Sequence, residues 1–235
     1  MIPLRDHNPG VGTPLVVYLL IVANVLVFLF MWQMPPQRLE AFVLAFGMRP
    51  YEITRAVDIP PPSPQPVYAT VFTSMFMHGG WLHLVGNMLY LWIFGNNVED
   101  VFGHLGFLVF YLVSGVAAAV GQILVNPASQ IPLIGASGAI AGVMGAYLVF
   151  FPHARIDTLI IAFYVIRLVP LSALWVLGFW ILIQFLQGTA ELAPGAIQGG
   201  VAWWAHIGGF VAGVLIGFLF RGRAREVARR FPAYW

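Results

Sequence analysis

The 235-residue chain has no cysteine and no lysine, and only 9% of its residues are charged. Without cysteine, disulfide scaffolds, zinc–thiolate sites and thiol nucleophiles are excluded. Without lysine, arginine carries all the side-chain positive charge, five of the eleven arginines lying in the tail after Gly217. The shortage of charge is the most restrictive absence, because soluble chains carry roughly 25% charged residues. Between Asp100 and Arg155 no charged residue occurs in 54 consecutive positions, and between Arg167 and Arg221 the only one is Glu191. A soluble enzyme and a DNA-binding domain are both ruled out, and the arginines after the last apolar run read as an anchor at the cytoplasmic membrane surface.

What is present is apolar surface: 60% of residues are hydrophobic and the mean hydropathy is +0.86. A helix crossing roughly 30 Å of hydrocarbon needs about 20 such residues. Six runs qualify, at 14–34, 81–98, 104–124, 135–151, 170–187 and 203–220, each bounded by Pro, Gly, Asn or charge. The expectation is an all-α polytopic membrane protein, residues 1–235 forming one domain with six transmembrane helices and an arginine-rich cytoplasmic tail at 221–235. The first run has no small-residue cleavage site after it and reads as a retained span. The segment from Arg155 to Arg167 is too short to cross and is expected to lie at the interface or lead into the fifth span. Residues 35–80 make one long connection containing Pro60, Pro61, Pro62, Pro64 and Pro66, a candidate functional loop.

Six spans put both termini on one side. With both cytoplasmic, eight arginines lie inside against Arg38, Arg49 and Arg55 outside, the bias that membrane insertion favours. The second, fourth and sixth spans then begin at the outer face with His83 and Asn87, Ser137, and His206 respectively. At 1.5 Å per residue these groups share one depth, about 5–10 Å below the outer interface. Polar side chains so placed face a protein interior or a water-filled cavity.

Ser137 stands in Gly135-Ala136-Ser137-Gly138, a loop-to-helix junction where glycine permits a sharp turn. Its hydroxyl can attack a carbonyl while its own N–H, at a helix N-terminus, can receive negative charge. Plain small-residue packing is the alternative for this motif. His206 is followed at helical spacing by Gly209, Gly213 and Gly217, and Ser137 by Ala141 and Gly145. Two such faces pack backbone to backbone and would bring the imidazole to the hydroxyl as general base. His83 and Asn87, four apart, converge on one point and suit either interhelical hydrogen bonding or donation to an oxyanion. His78 is expected to tie down the long loop. No carboxylate is expected at the outer ends of these helices, Glu191 being assigned to an outer loop, so the expectation is a Ser–His dyad. Neither an HExxH zinc motif nor paired intramembrane aspartates occur, and no metal or cofactor is expected.

These residues resemble the rhomboid family of intramembrane serine proteases. The similarity covers about 150 residues and rests on HGGWLHLVGNMLYLWIFGNNVED (His78 to Asp100), GASGAIAG (Gly135 to Gly142) and AHIGGFVAG (Ala205 to Gly213), in that order on alternate spans. The resemblance implies peptide-bond hydrolysis in or beside the membrane, with Ser137 as nucleophile, His206 as base, and His83, Asn87 and the Ser137 N–H holding the oxyanion. It implies structural roles for Glu99, Gly103, Gly209 and Gly213. The chain departs from some bacterial members at Ala141, where they carry a Tyr stacked on the catalytic His, and lacks their Trp-Arg pair between 35 and 80. The expected partners are transmembrane protein substrates and membrane lipid, not nucleic acid, and the plain core suggests a bacterial inner membrane. A rhomboid-like binder of transmembrane clients without catalysis is the alternative. An aquaporin-like channel, suggested by Asn126-Pro127-Ala128, would require a second such tripeptide.

Overall fold

The computed structural model describes residues 1–162, 165–193 and 200–229. Its helices are α1 (Leu15–Trp32), α2 (Pro36–Phe46), α3 (Pro50–Arg55), α4 (Thr70–Thr73), α5 (Trp81–Phe102), α6 (His104–Val125), α7 (Ser137–Phe150), α8 (Ala173–Glu191) and α9 (Trp203–Ala228). Strands β1 (Ile2–Asp6), β2 (Arg155–Ala162) and β3 (Val165–Ser172) form one antiparallel sheet in that order.

Four helices, α1, α6, α8 and α9, are long and apolar enough to cross a membrane. Helix α5 is as long as α6 but carries Asn87, Asn96, Asn97, Glu99 and Asp100. Helix α7 is apolar but has only 14 residues. It occupies the middle of the bundle, 11 of those residues being buried, and packs against α5, α6 and α9. Its glycines and those of α9 permit very close approach. A Cβ on Gly209 would sit 2.0 Å from the Gly138 carbonyl oxygen, and one on Gly213 would sit 1.9 Å from that of Gly142. Large apolar side chains on the other helices, such as Leu26, Leu124, Trp175 and Leu219, point outward and are exposed.

At one end of the bundle the junctions are fixed by hydrogen bonds to carboxylates. Helix α1 has no side-chain cap of its own, its N-cap being Pro14. Glu99, buried near the end of α5, supplies one by accepting from the N–H groups of Val16 and Val17, both at 2.9 Å. A carboxylate there satisfies free amides and the helix dipole together. Asp100 accepts from Val11 and Gly12 at 2.8 and 3.1 Å.

The all-α expectation needs correction at this end. The segment from Arg155 to Arg167 belongs to a β-hairpin, with Leu159 paired to Leu168 and Asp157 to Pro170, and its second strand, β3, leads directly into α8. Its β-branched residues Ile156, Thr158, Ile160, Ile161, Ile166 and Val169 favour a pleated strand, and alternation buries Ile156 and Thr158 against the helices. Residues 2–6 add a third strand that nothing in their composition announced. Behind it, Tyr147 in the last turn of α7 donates to Asp6 Oδ2 at 3.0 Å and accepts from Asn8 at 2.9 Å. Burial raises the Asp6 carboxyl from its ordinary 3.8 to about 6, against the lowering effect of the Tyr147 hydrogen bond.

The long connection is structured by α2, α3 and α4. A buried ion pair of Arg49 and Glu52 organises its proline run. Arg49 donates to the carbonyls of Ile59 at 2.7 Å and Pro61 at 3.3 Å, and Glu52 accepts from the Ile59 N–H at 3.0 Å. In the tail, α9 runs on through Arg221, Arg223 and Arg225, while Arg230 and the rest of the expected 221–235 tail lie outside the described residues.

Candidate active site

Ser137 is the first residue of α7, so its N–H belongs to the turn whose amides have no preceding carbonyl to bond. Gly135 makes the approach possible in two ways. Its φ of +125° lies where side chains are strained, and a Cβ there would fall 2.7 Å from His83 Nε2. The imidazole of His83 therefore packs directly on the backbone leading to the serine.

The close contact of α7 with α9 places Ser137 Oγ 2.8 Å from His206 Nε2. The other ring nitrogen, Nδ1, lies 2.7 Å from Gln184 Oε1 on α8. Trp180, one turn earlier on α8, packs its ring 5.7 Å from that of His206, and Trp203 meets it edge-on at 6.4 Å. Position 141 is a buried alanine and gives His206 no ring to stack on.

These groups open onto a cavity of about 820 Å³ lined by Ser137, His206, His83, Asn87, Trp180 and Glu191 among others. Asn87 is buried and its amide nitrogen has no hydrogen-bond partner among the described residues. His78 is buried beside His83, ring centroids 5.0 Å apart and 65° between planes, and neither of its nitrogens is bonded among the described residues. Gly138 faces Ala118 so closely that a Cβ would come within 2.5 Å. Glu191 corrects an expectation: it is the last residue of α8 rather than part of a loop, and it reaches the same cavity.

No group of three or more His, Asp or Glu able to hold a metal ion occurs among the described residues. The cavity brings together a hydroxyl hydrogen-bonded to an imidazole and neighbouring amide and imidazole side chains.

The Rhomboid domain family matches residues 65–223, about two thirds of the chain and all the residues of this site. The chain belongs to the rhomboid family. Among curated rhomboid proteins, it is 30% identical over 226 residues to Rhomboid protein 1, mitochondrial, of Saccharomyces cerevisiae, covering 92% of this chain and 57% of that protein. It is 32% identical over 150 residues to RHOMBOID-like protein 1 of Arabidopsis thaliana, covering 64% and 34%. With Rhomboid protease GluP of Bacillus subtilis the identity is 30% over 137 residues, covering 58% and 25%. The chain thus spans between a quarter and three fifths of the length of these three relatives. It is a multi-pass integral membrane protein of the rhomboid family, and its relatives include organellar as well as bacterial proteins.

Two polar residues escaped the functional reading of the sequence, Gln184 at this rhomboid site and Arg49 in the long connection. Gln184 did leave a signal, as the only amide or charged side chain between Ser172 and Gln187, and such a residue in an apolar helix calls for an interior partner. Arg49 left none, because its partner Glu52 lies in the same proline-rich stretch that reads as solvated loop.

Proposed function

We propose that this rhomboid protein is an intramembrane serine endopeptidase that cleaves transmembrane-helix substrates near the outer membrane face through a Ser137–His206 dyad. The observation that carries the reading is the 2.8 Å contact of Ser137 Oγ with His206 Nε2 inside a walled cavity. His206 takes the hydroxyl proton as Oγ bonds to the scissile carbonyl carbon. The resulting oxyanion is received by the Ser137 N–H, the Asn87 amide and His83. His206 then gives its proton to the departing amine as the C–N bond breaks, and water, activated by the same imidazole, hydrolyses the acyl-enzyme.

The membrane arrangement on this reading has six crossings, α1 and α5 to α9, with both termini cytoplasmic, in the inner membrane of a bacterium. The arginine distribution supports that orientation. So does the brevity of α7: about 21 Å long against roughly 30 Å of hydrocarbon, it starts well below the outer surface when its far end sits at the inner one. The substrate helix approaches sideways between α5 and α8 and unwinds locally to present an amide, so cleavable segments contain helix-breaking or small residues.

The test is fluorophosphonate labelling of the purified protein together with cleavage of a reconstituted transmembrane substrate. Loss of both in Ser137→Ala and His206→Ala supports the reading. Full cleavage by folded Ser137→Ala refutes it, while client binding by a wild type that neither labels nor cleaves would point to the non-catalytic binder.

A further inference from the structure

We propose that Gln184 is the positioning residue that sets the tautomer and orientation of His206, completing a Ser–His–Gln relay on three helices. The proposal rests on the reading of Ser137 and His206 as nucleophile and base. Its starting point is hydrogen-bond polarity. The Gln184 amide nitrogen lies 3.3 Å from the Trp180 carbonyl oxygen, to which only the NH2 end of the amide can donate. That fixes Oε1, an acceptor, as the atom 2.7 Å from His206 Nδ1. Nδ1 must then carry the proton, and Nε2 keeps the lone pair that accepts from Ser137 Oγ at 2.8 Å. A flipped amide would set oxygen against the Trp180 carbonyl and force the proton onto Nε2, the wrong nitrogen for a general base.

Gln184 is also placed as a dedicated group would be. It is buried on the inward face of α8 with Ala173, Val176, Leu177 and Gly188, all apolar or small. A polar side chain in such a stripe carries a desolvation cost that only specific partners offset, and here they are His206 and the turn below. Being neutral, the amide orients the ring without adding negative charge, so it stabilises the imidazolium less than a carboxylate would. Because it stands on α8 while Ser137 and His206 stand on α7 and α9, displacement of α8 alone uncouples the orienting group and leaves the Ser–His contact in place.

The experiment compares wild type, Gln184→Ala and Gln184→Glu by three readouts. In ¹⁵N-histidine spectra, with the His206 signals identified by their loss in His206→Ala, wild type should show Nδ1 protonated and Nε2 unprotonated. Gln184→Ala should shift population toward the other tautomer. Substrate turnover should fall about 10- to 100-fold in kcat with KM little changed, as expected for a reacting group held less accurately. In Gln184→Glu much of the turnover should return, and the acidic limb of the pH–rate profile should move to higher pH because a carboxylate at Nδ1 favours the imidazolium. An Nε2-protonated ring in wild type, or a tautomer unaffected by Gln184→Ala, overturns the proposal whatever the activity. A wild type that shows the stated tautomer but neither labels nor cleaves would overturn the protease reading instead.

Discussion

Adding one methyl group to the α7–α9 contact should disable the site without touching any polar residue. In Gly209→Ala the new Cβ would meet the Gly138 carbonyl oxygen at 2.0 Å, and in Gly213→Ala it would meet that of Gly142 at 1.9 Å. Both fall about 1 Å short of the closest approach that side chains make, and the obstacle is backbone in the middle of a packed bundle that cannot rotate aside. Helix α9 must therefore back away by about that amount, carrying His206 with it. The Ser137–His206 contact, now 2.8 Å, would stretch past the range in which a hydroxyl hydrogen bond holds. A displacement of this size costs on the order of 10²-fold in rate, with about 1–3 kcal/mol of stability lost to overpacking. The assay is the second-order rate of fluorophosphonate labelling, read beside thermal unfolding in the same detergent. Gly222→Ala is the control on the same helix, since a Cβ there meets nothing within 4 Å; it should label at the wild-type rate. If Gly209→Ala and Gly213→Ala also label at that rate, the inference from backbone contact to site geometry is wrong.

Three further outcomes follow from contacts away from the site. Glu99→Gln should lower the unfolding temperature, by about 1–3 kcal/mol of stability, because an amide cannot accept from both Val16 and Val17 without turning its NH2 group toward one of them; an unchanged midpoint would show that solvent caps α1. The Asp6 carboxyl, raised to about 6 by burial, favours the fold when protonated, so its contribution is complete below about pH 4 and is lost as pH rises through 6. Wild type should therefore lose stability between pH 4 and 7 relative to Asp6→Asn, and parallel melting curves for the two would contradict this. Removing either Arg49 or Glu52 alone leaves a buried charge without its partner, a loss of about 3–5 kcal/mol. Arg49→Met with Glu52→Met should cost less than the sum of the two single changes, and additivity in a double-mutant cycle would rule out the coupling.

What could be read from the sequence follows from which signals are local. Each of the six expected apolar runs contains a helix, because length and hydropathy fix helices in hydrocarbon. Their ends moved where tertiary contacts decide: Pro170 to Ser172 went to β3 rather than to the start of α8, and α9 continued eight residues beyond Phe220. The sheet was not legible, since pairing β1 with β2 joins residues 150 or more positions apart, and a five-residue strand carries no periodicity of its own. At the site, residue type and spacing singled out Ser137, His206, His83 and Asn87, all of which line one cavity. Gln184 was missed because a search for a carboxylate partner to histidine passes over an amide, although an amide is the group that an apolar helix can bury at lower cost.

Polar side chains around Ser137 bear on how the proposed peptide substrate would be received. Asn87 Nδ2, Gln122 Oε1 and Glu191 Oε2 are buried without partners among the described residues, and all three residues line the cavity holding Ser137. Polar atoms lining such a cavity can hydrogen-bond to water or to a peptide that enters it. An intact helix cannot do so, because its amides and carbonyls are already paired with one another. A locally unwound segment brings free N–H and C=O groups in the same numbers. On the protease reading proposed above, the cavity suits the extended form of a backbone, and hydrogen bonds to these three side chains would offset part of the cost of unwinding a substrate helix. Replacing Gln122 by leucine should then weaken substrate binding, raising KM, while fluorophosphonate labelling, which needs no peptide backbone, proceeds at the wild-type rate. Equal losses in both measurements would mean that Gln122 supports the site itself rather than the substrate.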